Sequence, residues 1–237
     1  MDLRVEWLGR IDYRVAWARQ HALVEARAAG AIPDTLLLLE HPAVLTLGRQ
    51  ADPSFVRASA TELAERGVEL IQVERGGEVT YHGPGQLVAY PIVRLADRGI
   101  LLRPFVRALE AAMAETCASY DVDAGRRDGQ PGCWVDPEGR APRKVGALGI
   151  RIERGITYHG IALNVTTDLA GFELIDPCGM PGVTVTSIAA EAGWPNGSPT
   201  TASVHEAADR FAGAFNRTLG MAGDGTPLVA VPALTRS

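Results

Sequence analysis

The chain has 237 residues, of which 46% are hydrophobic and 22% charged, a composition typical of a globular protein with a sizeable core. The formal net charge of -5 argues against nonspecific binding to nucleic acid. No apolar stretch approaches the length needed to span a bilayer, and the first residues lack the layout of a signal peptide, so the sequence predicts a cytoplasmic protein.

The first hundred residues predict one helix and several short strands. Helical spacing of apolar residues among alanines predicts a helix over Asp12–Arg27. The apolar runs Leu36–Leu39 and Val44–Leu47 predict buried strands, with a hairpin across His41-Pro42.

A capping box introduces the next helix. Ser59 and Glu62 have the spacing of that motif, and Gly67 ends the helix that they begin. Strands are then predicted over Val68–Val73 and Gln86–Val93.

The middle of the chain predicts a long helix, a loop and a hairpin. Pro104 can start the helix, whose apolar residues recur at helical spacing at Phe105, Leu109, Met113 and Tyr120. The stretch Asp121–Arg143 is rich in Gly, Pro and charge, and predicts a loop around a short Cys133–Val135 strand. Lys144–Ile152 and Ile156–Val165 predict a hairpin around a Glu153-Arg154-Gly155 turn.

The last predicted element is an amphipathic helix. Ser203 and Glu206 cap it, and Gly220 ends it. Because strands arrive mostly in hairpins, the sequence favours an α+β fold with a mixed or antiparallel sheet packed by helices. We expect a single domain over residues 1–222 and a mobile tail over 223–237.

Four segments carry the candidate chemistry. The glycine-dense loop 75–86 lets a backbone run close to a ligand, although an ordinary turn has the same composition, and it matches no nucleotide-binding motif. Segments 144–151 and 155–165 alternate small and apolar residues, which leaves room for an aliphatic chain or for close packing of sheet and helix. The fourth segment is the turn Asp176-Pro177-Cys178-Gly179.

The three cysteines, Cys117, Cys133 and Cys178, are predicted to be free thiols, because their number is odd and no C-x-x-C pair occurs. Cys178 is the candidate nucleophile, since its turn presents the thiol outward and is expected to leave free N–H groups for a carbonyl oxygen. Cys117 and Cys133 fit the common role of buried small hydrophobes better.

Three further patterns stand out. Thr-Tyr-His-Gly occurs at 80–83 and again at 157–160, either by chance or as two strands that line one pocket. A run of basic residues between 126 and 154 is either a solvated loop or a docking patch for an acidic protein. Lys144 is the single lysine among 23 lysine and arginine residues.

Taken in order, R-G-G-E-V-T-Y-H-G-P-G-Q, K-V-G-A-L-G-I-R, G-I-T-Y-H-G-I-A-L-N-V and D-P-C-G closely resemble the lipoyl(octanoyl) transferase family. The resemblance implies the fold of biotin and lipoate protein ligases. It also implies transfer of octanoyl, or lipoyl, from the phosphopantetheine thioester of acyl carrier protein to a lysine of lipoyl domains. The implied acceptors are the 2-oxoacid dehydrogenase complexes and the glycine cleavage H protein.

The resemblance also implies the site residues. The nucleophile falls on Cys178 and its partner lysine on Lys144, with no metal and no ATP. The implied substrate pocket comprises Arg75, Gly76, Gly77, Glu78, Val79, Thr80, Tyr81, His82, Ala147, Leu148, Gly149, Gly160, Ile161 and Ala162.

The implied chemistry is self-consistent. Thioester exchange onto a cysteine is nearly isoenergetic, and onward transfer to an amine gives the more stable amide, so no ATP is required. An ammonium beside a thiol favours the thiolate. Burial of about six methylenes at roughly 0.8 kcal/mol each contributes on the order of 5 kcal/mol, which predicts an apolar slot.

Three alternatives stay open at the level of sequence. An ATP-dependent lipoate or biotin ligase on the same fold would need no cysteine nucleophile. A thiol hydrolase would use Cys178 with His82 or His159 and release the free acid. A binding module for lipoyl domains would never hold an acyl group.

Overall fold

The computed structural model describes residues 3–194 and 204–223. Its eleven strands are β1 (Leu3–Arg10), β2 (Asp34–Glu40), β3 (Val44–Leu47), β4 (Glu69–Gln72), β5 (Thr80–His82), β6 (Gln86–Ile92), β7 (Ala124–Arg127), β8 (Gln130–Val135), β9 (Arg143–Glu153), β10 (Ile156–Asn164) and β11 (Thr184–Val185). The α-helices are α1 (Tyr13–Ala28), α2 (Ala60–Glu65), α3 (Leu102–Ala118), α4 (Ile188–Glu191) and α5 (Val204–Gly223).

Two sheets organise these elements. The larger sheet has the order β1-β2-β6-β10-β9-β8-β7, with β11 paired to β9. Its pairings are antiparallel apart from β1 with β2 and β11 with β9, which are parallel. The smaller sheet has the order β4-β3-β5. The predicted α+β class with a mixed sheet is confirmed.

Both faces of the larger sheet are covered by helices. One face packs against α3 and α5, whose apolar residues recur every four positions, as in Phe105, Leu109 and Met113. The opposite face packs against α1, which begins after Asp12, whose carboxylate accepts hydrogen bonds from the N–H groups of Arg14 and Val15. The smaller sheet lies on the α1 side, where Tyr13 of α1 packs on Val44 of β3.

Most predicted elements are confirmed, including α1, α2 with Ser59 accepting from the N–H of Glu62, and the β9–β10 hairpin. The hairpin across His41-Pro42 is wrong, because β2 pairs with β1 and β6 while β3 lies in the other sheet. The chain passes between the sheets at that point.

Two other predictions need correction. The stretch 124–135 is a hairpin of β7 and β8 rather than mostly loop, and β1 has no counterpart among the predicted strands. The last helix continues through Gly220 to Gly223. The cap at Ser203 and the tail 224–237 lie outside the described residues. Within the described ranges, no helix is both long and apolar enough to cross a bilayer.

Candidate active site

A cleft of about 450 Å³ lies between the β9–β10 hairpin of the larger sheet and the glycine loop 75–79 that leads into β5. Pockets of roughly 300–1,000 Å³ are typical of small-molecule sites. The cleft therefore has the size of a ligand site, and its walls come from both sheets.

The predicted site residues converge on this cleft. Cys178, Lys144 and the residues predicted for the substrate pocket all line it, with the exception of Tyr81. Because side chains alternate along a strand, Thr80 and His82 face the cleft while Tyr81 packs against Phe172 in a separate apolar cluster. Tyr81 is therefore the one member of the predicted set that the structure places elsewhere.

Cys178 is held in a tight turn over Pro177–Gly179, and its residue is half-buried. Its φ of 57° lies in the left-handed region that an L-residue rarely adopts, and such strain clusters at functional sites. Gly179 follows with a φ of 66°, and a Cβ there would lie 2.7 Å from Cγ of Glu78. The position after Cys178 therefore favours glycine where this turn meets the glycine loop.

The N–H groups of this turn are not free, which corrects the expectation drawn from sequence. Cys178 donates to the carbonyl of Val79 at 3.0 Å, Gly179 to Asp176 at 3.0 Å and Met180 to Pro177 at 3.1 Å. In contrast, the N–H groups of Gly77 and Val79 have no acceptor within the part of the chain that the structure describes. Both residues line the cleft.

Lys144 meets Cys178 inside the cleft. Its Nζ lies 3.2 Å from Sγ, within hydrogen-bond distance, and the residue is only 5% exposed. A register shift between β8 and β9 pairs Cys133 with Gly146 but Trp134 with Lys144, which leaves Val145 as an extra residue. This bulge turns Val145 into the core and Lys144 into the cleft.

The floor of the cleft is a trough of small residues. Ala147 pairs with Ala162 and Gly149 with Gly160 across the β9–β10 hairpin, so two rungs of the ladder carry side chains no larger than methyl. A Cβ on Gly149 would lie 2.7 Å from the carbonyl oxygen of Gly76. The glycine loop therefore rests directly on the trough, as close backbone approach demands.

Arg75 anchors the glycine loop to β3. Its guanidinium donates to the hydroxyl of Thr46 at 2.8 Å, to the carbonyl of Thr46 at 2.6 Å and to the carbonyl of Gly76 at 3.0 Å. Burial lowers the pKa of Arg75 from its usual value. The arginine is thus a buried cation that braces the loop against β3.

His82 lies in the wall of the cleft and belongs to a buried hydrogen-bond network. Its Nδ1 lies 2.8 Å from Oε1 of Gln86, and the Gln86 amide donates to Asn164 at 2.9 Å. Burial, with the neighbouring His41, lowers the pKa of His82 to about 3. The ring is therefore neutral at physiological pH, with the Nδ1 proton directed to Gln86.

His159 occupies another part of the cleft wall. It is 1% exposed, its φ is 52°, and neither ring nitrogen has a hydrogen-bond partner among the described residues. The nearest carboxylate, that of Glu74, lies 3.7 Å from Nε2. Burial lowers the pKa of His159. Burial of Glu74 opposes its ionisation, but contacts with His159 and Trp17 prevail and lower its pKa to about 2.

The repeated Thr-Tyr-His-Gly motif has a structural meaning. Its first copy lies in β5 and its second in β10, in different sheets, yet His82 and His159 both line the cleft. The interpretation of two strands around one pocket is confirmed. Several other residues that line the cleft were not predicted from sequence, among them Tyr13, Tyr90, Leu102 and Val106. Leu102 and Val106 share the i, i+4 spacing of one helix face, which is the sequence signal that could have identified them.

The basic run does not form one patch. Arg143 begins β9 and Arg154 follows its last residue, Glu153, so the length of the strand, roughly 3.3 Å per residue, separates them. Arg143 pairs with Glu191 at 2.7 Å, and Arg154 pairs with Glu25 of α1 at 2.7 Å. These two arginines therefore brace separate parts of the fold.

Comparison with known proteins places this geometry in a family. The chain matches the lipoyl protein ligase A/B catalytic domain over residues 12–216. It is 46% identical to an octanoyltransferase of Acidobacterium capsulatum over the full length of both chains. It is 50% identical to one of Chloroflexus aggregans, covering 81% of this chain and 86% of that one. With one of Mycobacterium tuberculosis the identity is 47%, covering 80% and 77%.

Solved structures share the fold at much lower identity. A lipoate-protein ligase A bound with ATP matches with a TM-score of 0.66 at 15% identity, covering 92% of this chain and 86% of that one. The biotin protein ligase of Aquifex aeolicus in complex with biotin and ATP matches with a TM-score of 0.56 at 11% identity, covering 94% and 73%. These matches agree with the predicted architecture.

Proposed function

Because this chain belongs to the lipoyl protein ligase A/B catalytic-domain family and is an octanoyltransferase, we propose that it transfers the octanoyl group in two steps through a thioester on Cys178. The observation that carries the proposal is the 3.2 Å contact between Nζ of Lys144 and Sγ of Cys178 at the wall of the cleft. A nucleophile within hydrogen-bond reach of a base is the signature of covalent catalysis.

In the loading step, Lys144 takes the proton of the Cys178 thiol, and the thiolate attacks the carbonyl carbon of the octanoyl thioester. The bond from that carbon to the donor sulfur breaks as the bond to Sγ forms. Lys144 then returns the proton to the departing thiolate of the donor. The products are acyl-Cys178 and a free donor thiol.

In the transfer step, the amine of an acceptor lysine attacks the acyl-Cys178 carbonyl. Lys144, neutral after loading, takes a proton from the attacking amine. The carbon–sulfur bond breaks, Cys178 leaves as the thiolate, and the product is an amide. A positioned base contributes roughly 10²–10⁴ in rate to a step of this kind.

Both steps pass through a tetrahedral oxyanion that needs hydrogen-bond donors. The turn that holds Cys178 has none to spare, since its own N–H groups are already bonded within the protein. Gly77 and Val79, whose N–H groups have no acceptor among the described residues, both line the cleft, and Val79 is bonded to the turn through its carbonyl, which accepts from Cys178. We assign the oxyanion to these two donors.

The acyl chain is assigned to the part of the cleft lined by Ala147 and Ala162, beside the rung where the glycine loop rests on Gly149. The donor is a thioester, which already carries the free energy for amide formation, so this proposal includes neither ATP nor a metal. An octanoyl-loaded acyl carrier protein is the proposed donor, and lipoyl domains of lipoate-dependent enzymes are the proposed acceptors.

Intact-protein mass spectrometry tests the thioester. After mixing with octanoyl-loaded carrier protein, we expect one added octanoyl group that hydroxylamine removes, mapped by peptide analysis to Cys178. Cys117→Ala, which deletes a buried thiol elsewhere, is the matched control and should still load. Cys178→Ala should neither load nor turn over.

Other outcomes would distinguish the alternatives. An adduct on Cys117 or Cys133, or turnover by Cys178→Ala, would contradict the assignment. Strict dependence on ATP would indicate a ligase, and release of free octanoate whether or not an acceptor is present would indicate a hydrolase.

A further inference from the structure

Lys144 is a buried amine with few polar neighbours. Its one hydrogen bond to a described residue is to Sγ of Cys178, and no carboxylate of the described chain forms an ion pair with it. An ammonium has three donors, and a buried cation is costly unless other contacts compensate it. Once this side chain has taken the proton of Cys178, its positive charge therefore calls for a further contact.

The face of Trp134 provides such a contact. Nζ of Lys144 lies 5.0 Å from the centre of the indole, within the roughly 6 Å of a cation–π interaction. The indole is 1% exposed, so water screens the contact little. Tryptophan is also the aromatic side chain with the strongest attraction for cations.

The backbone is shaped to bring the two side chains together. The bulge at Val145 makes Lys144 the direct cross-strand partner of Trp134. Gly132, with a φ of 125°, clears a path for the lysine stem, because a Cβ there would lie 3.0 Å from Cε of Lys144. That Cβ would also lie 2.4 Å from the carbonyl oxygen of Gly146, so the strand admits only glycine.

The indole itself is fixed in place. Its Nε1 donates to the carbonyl of Gln130 at 3.0 Å, within the same strand. Gln130 also lines the cleft. The ring is thus locked in one orientation before any substrate binds, which is what preorganisation of a neighbouring group requires.

We propose that Trp134 is a positioning residue for the reaction: its ring face holds the ammonium of Lys144 against Cys178 and stabilises the ammonium–thiolate pair that precedes attack. This inference rests on the proposed function, since it gives Trp134 a role only through the Cys178–Lys144 pair. Trp134 does not contact the acyl group.

The single lysine allows a direct test. Protein labelled with ¹³C at Cε of lysine gives one ε-methylene signal, that of Lys144. In the parent we expect ring-current displacement of this signal upfield from free lysine, and in Trp134→Leu a return toward the free position. A parent signal at the free-lysine position would overturn the inference whether or not Cys178 is acylated.

Single-turnover loading supplies the second measurement. We expect Trp134→Leu to slow acylation of Cys178 roughly five- to thirty-fold at saturating donor, with the donor concentration for half-saturation unchanged. Trp134→Phe keeps an aromatic face and should recover part of the rate. Parental loading by a folded Trp134→Leu protein, judged by thermal melting, would show that the indole only fills space.

Fluorinated tryptophan keeps the test decisive if Trp134→Leu does not fold. Fluorine weakens the negative face of the ring with little change of shape, so loading should slow as fluorines are added. Trp134→Phe grown in the same medium is the matched control. In that variant only the other tryptophans carry fluorine, so it reports their contribution to any slowing. Equal slowing in both proteins, or none in either, would overturn the inference. Absence of any acyl-Cys178 in the unsubstituted parent would instead refute the proposed function.

Discussion

At the scale of single residues, the proposed nucleophile and the proposed base come from different parts of the chain. Cys178 occupies a left-handed turn, and Lys144 projects from a bulged strand, yet Sγ and Nζ lie 3.2 Å apart. Arginine stands at every other basic position of the chain. The exception at Lys144 indicates a role that positive charge alone does not fulfil.

Lys144→Arg separates the two roles of this residue. Guanidinium keeps the positive charge but does not give up its proton at neutral pH. We expect acyl-Cys178 to form slowly and persist, with transfer to the acceptor reduced by about two to four orders of magnitude. Single-turnover kinetics of the two half-reactions measures this.

The reverse swap at an exposed position of α3, Arg103→Lys, is the matched control and should change neither half-reaction. Transfer at the parental rate by Lys144→Arg would make Lys144 an electrostatic partner only. The base would then have to be sought at His82 or His159.

Individual site residues could be predicted from sequence where a local signal existed. The Pro-Cys-Gly turn and the lone lysine pointed to Cys178 and Lys144, and the structure brings them together. Trp134 carried no such signal, because its contact with Lys144 depends on a bulge in the pairing of two strands. The occupied N–H of Cys178 was also beyond sequence, since its acceptor at Val79 is 99 residues away along the chain, the difference between positions 178 and 79.

At the scale of elements, the β9–β10 hairpin determines what the cleft admits. Its paired small residues form the trough, and the larger side chains of the same strands, such as Leu148 and Ile161, pack toward the helices. Leu148 and Ile161 also line the cleft, so both the small and the large side chains of the hairpin contribute to its wall.

Ala147→Leu tests the trough. The added side chain projects into the path assigned to the acyl chain, and overpacking of this kind costs about 1–3 kcal/mol. We expect octanoyl loading to fall by about tenfold or more, while a two- to four-carbon acyl donor is affected much less. The measurement is the ratio of loading rates for the two donors.

Ala60→Leu, at the exposed first residue of α2, is the matched control and should leave that ratio unchanged. Equal loss for long and short acyl donors in a folded Ala147→Leu protein would place the chain elsewhere.

Elements were predictable from sequence when turn and strands were contiguous, as in the β9–β10 hairpin around Glu153-Arg154-Gly155. The partners of β2 and β3 were not, because an apolar run shows burial but not the sheet that it joins. The β7–β8 hairpin was hidden by its glycines and charges, which are typical of loops.

At the scale of the whole molecule, the two sheets enclose several histidines. His41 donates from Nδ1 to the carbonyl of Ile11 and accepts at Nε2 from the hydroxyl of Tyr90, and burial lowers its pKa to about 4. His82 has a pKa lowered to about 3. Both values lie below the ordinary value of about 6.5, so folding holds both rings neutral.

These histidines should make the fold sensitive to acid. Their contribution to stability is complete above about pH 6.5 and is lost as pH falls toward about 4 and 3, because the unfolded chain binds protons that the folded chain excludes. Each such histidine contributes up to about 1.4 kcal/mol per pH unit in that window. Urea unfolding between pH 7 and pH 5 measures the slope.

His82→Gln removes one titrating ring and should make that dependence shallower. His21→Gln is a matched control, because His21 lies on the surface side of α1 and is about half exposed. Stability that does not fall between pH 7 and pH 5 would show that these rings are protonated or hydrated in the folded protein.

The scarcity of lysine has one more consequence, which concerns self-acylation. An activated acyl group on Cys178 would react with any accessible amine of the same molecule, and such an intramolecular acceptor would compete at high effective concentration. The chain offers a single lysine side chain, 5% exposed and held over an indole ring. Its other basic side chains are guanidinium groups, which stay protonated and do not compete for the acyl group. Apart from Lys144, which lies in the active site, no side chain of this enzyme carries the amine that it is proposed to modify in its acceptors.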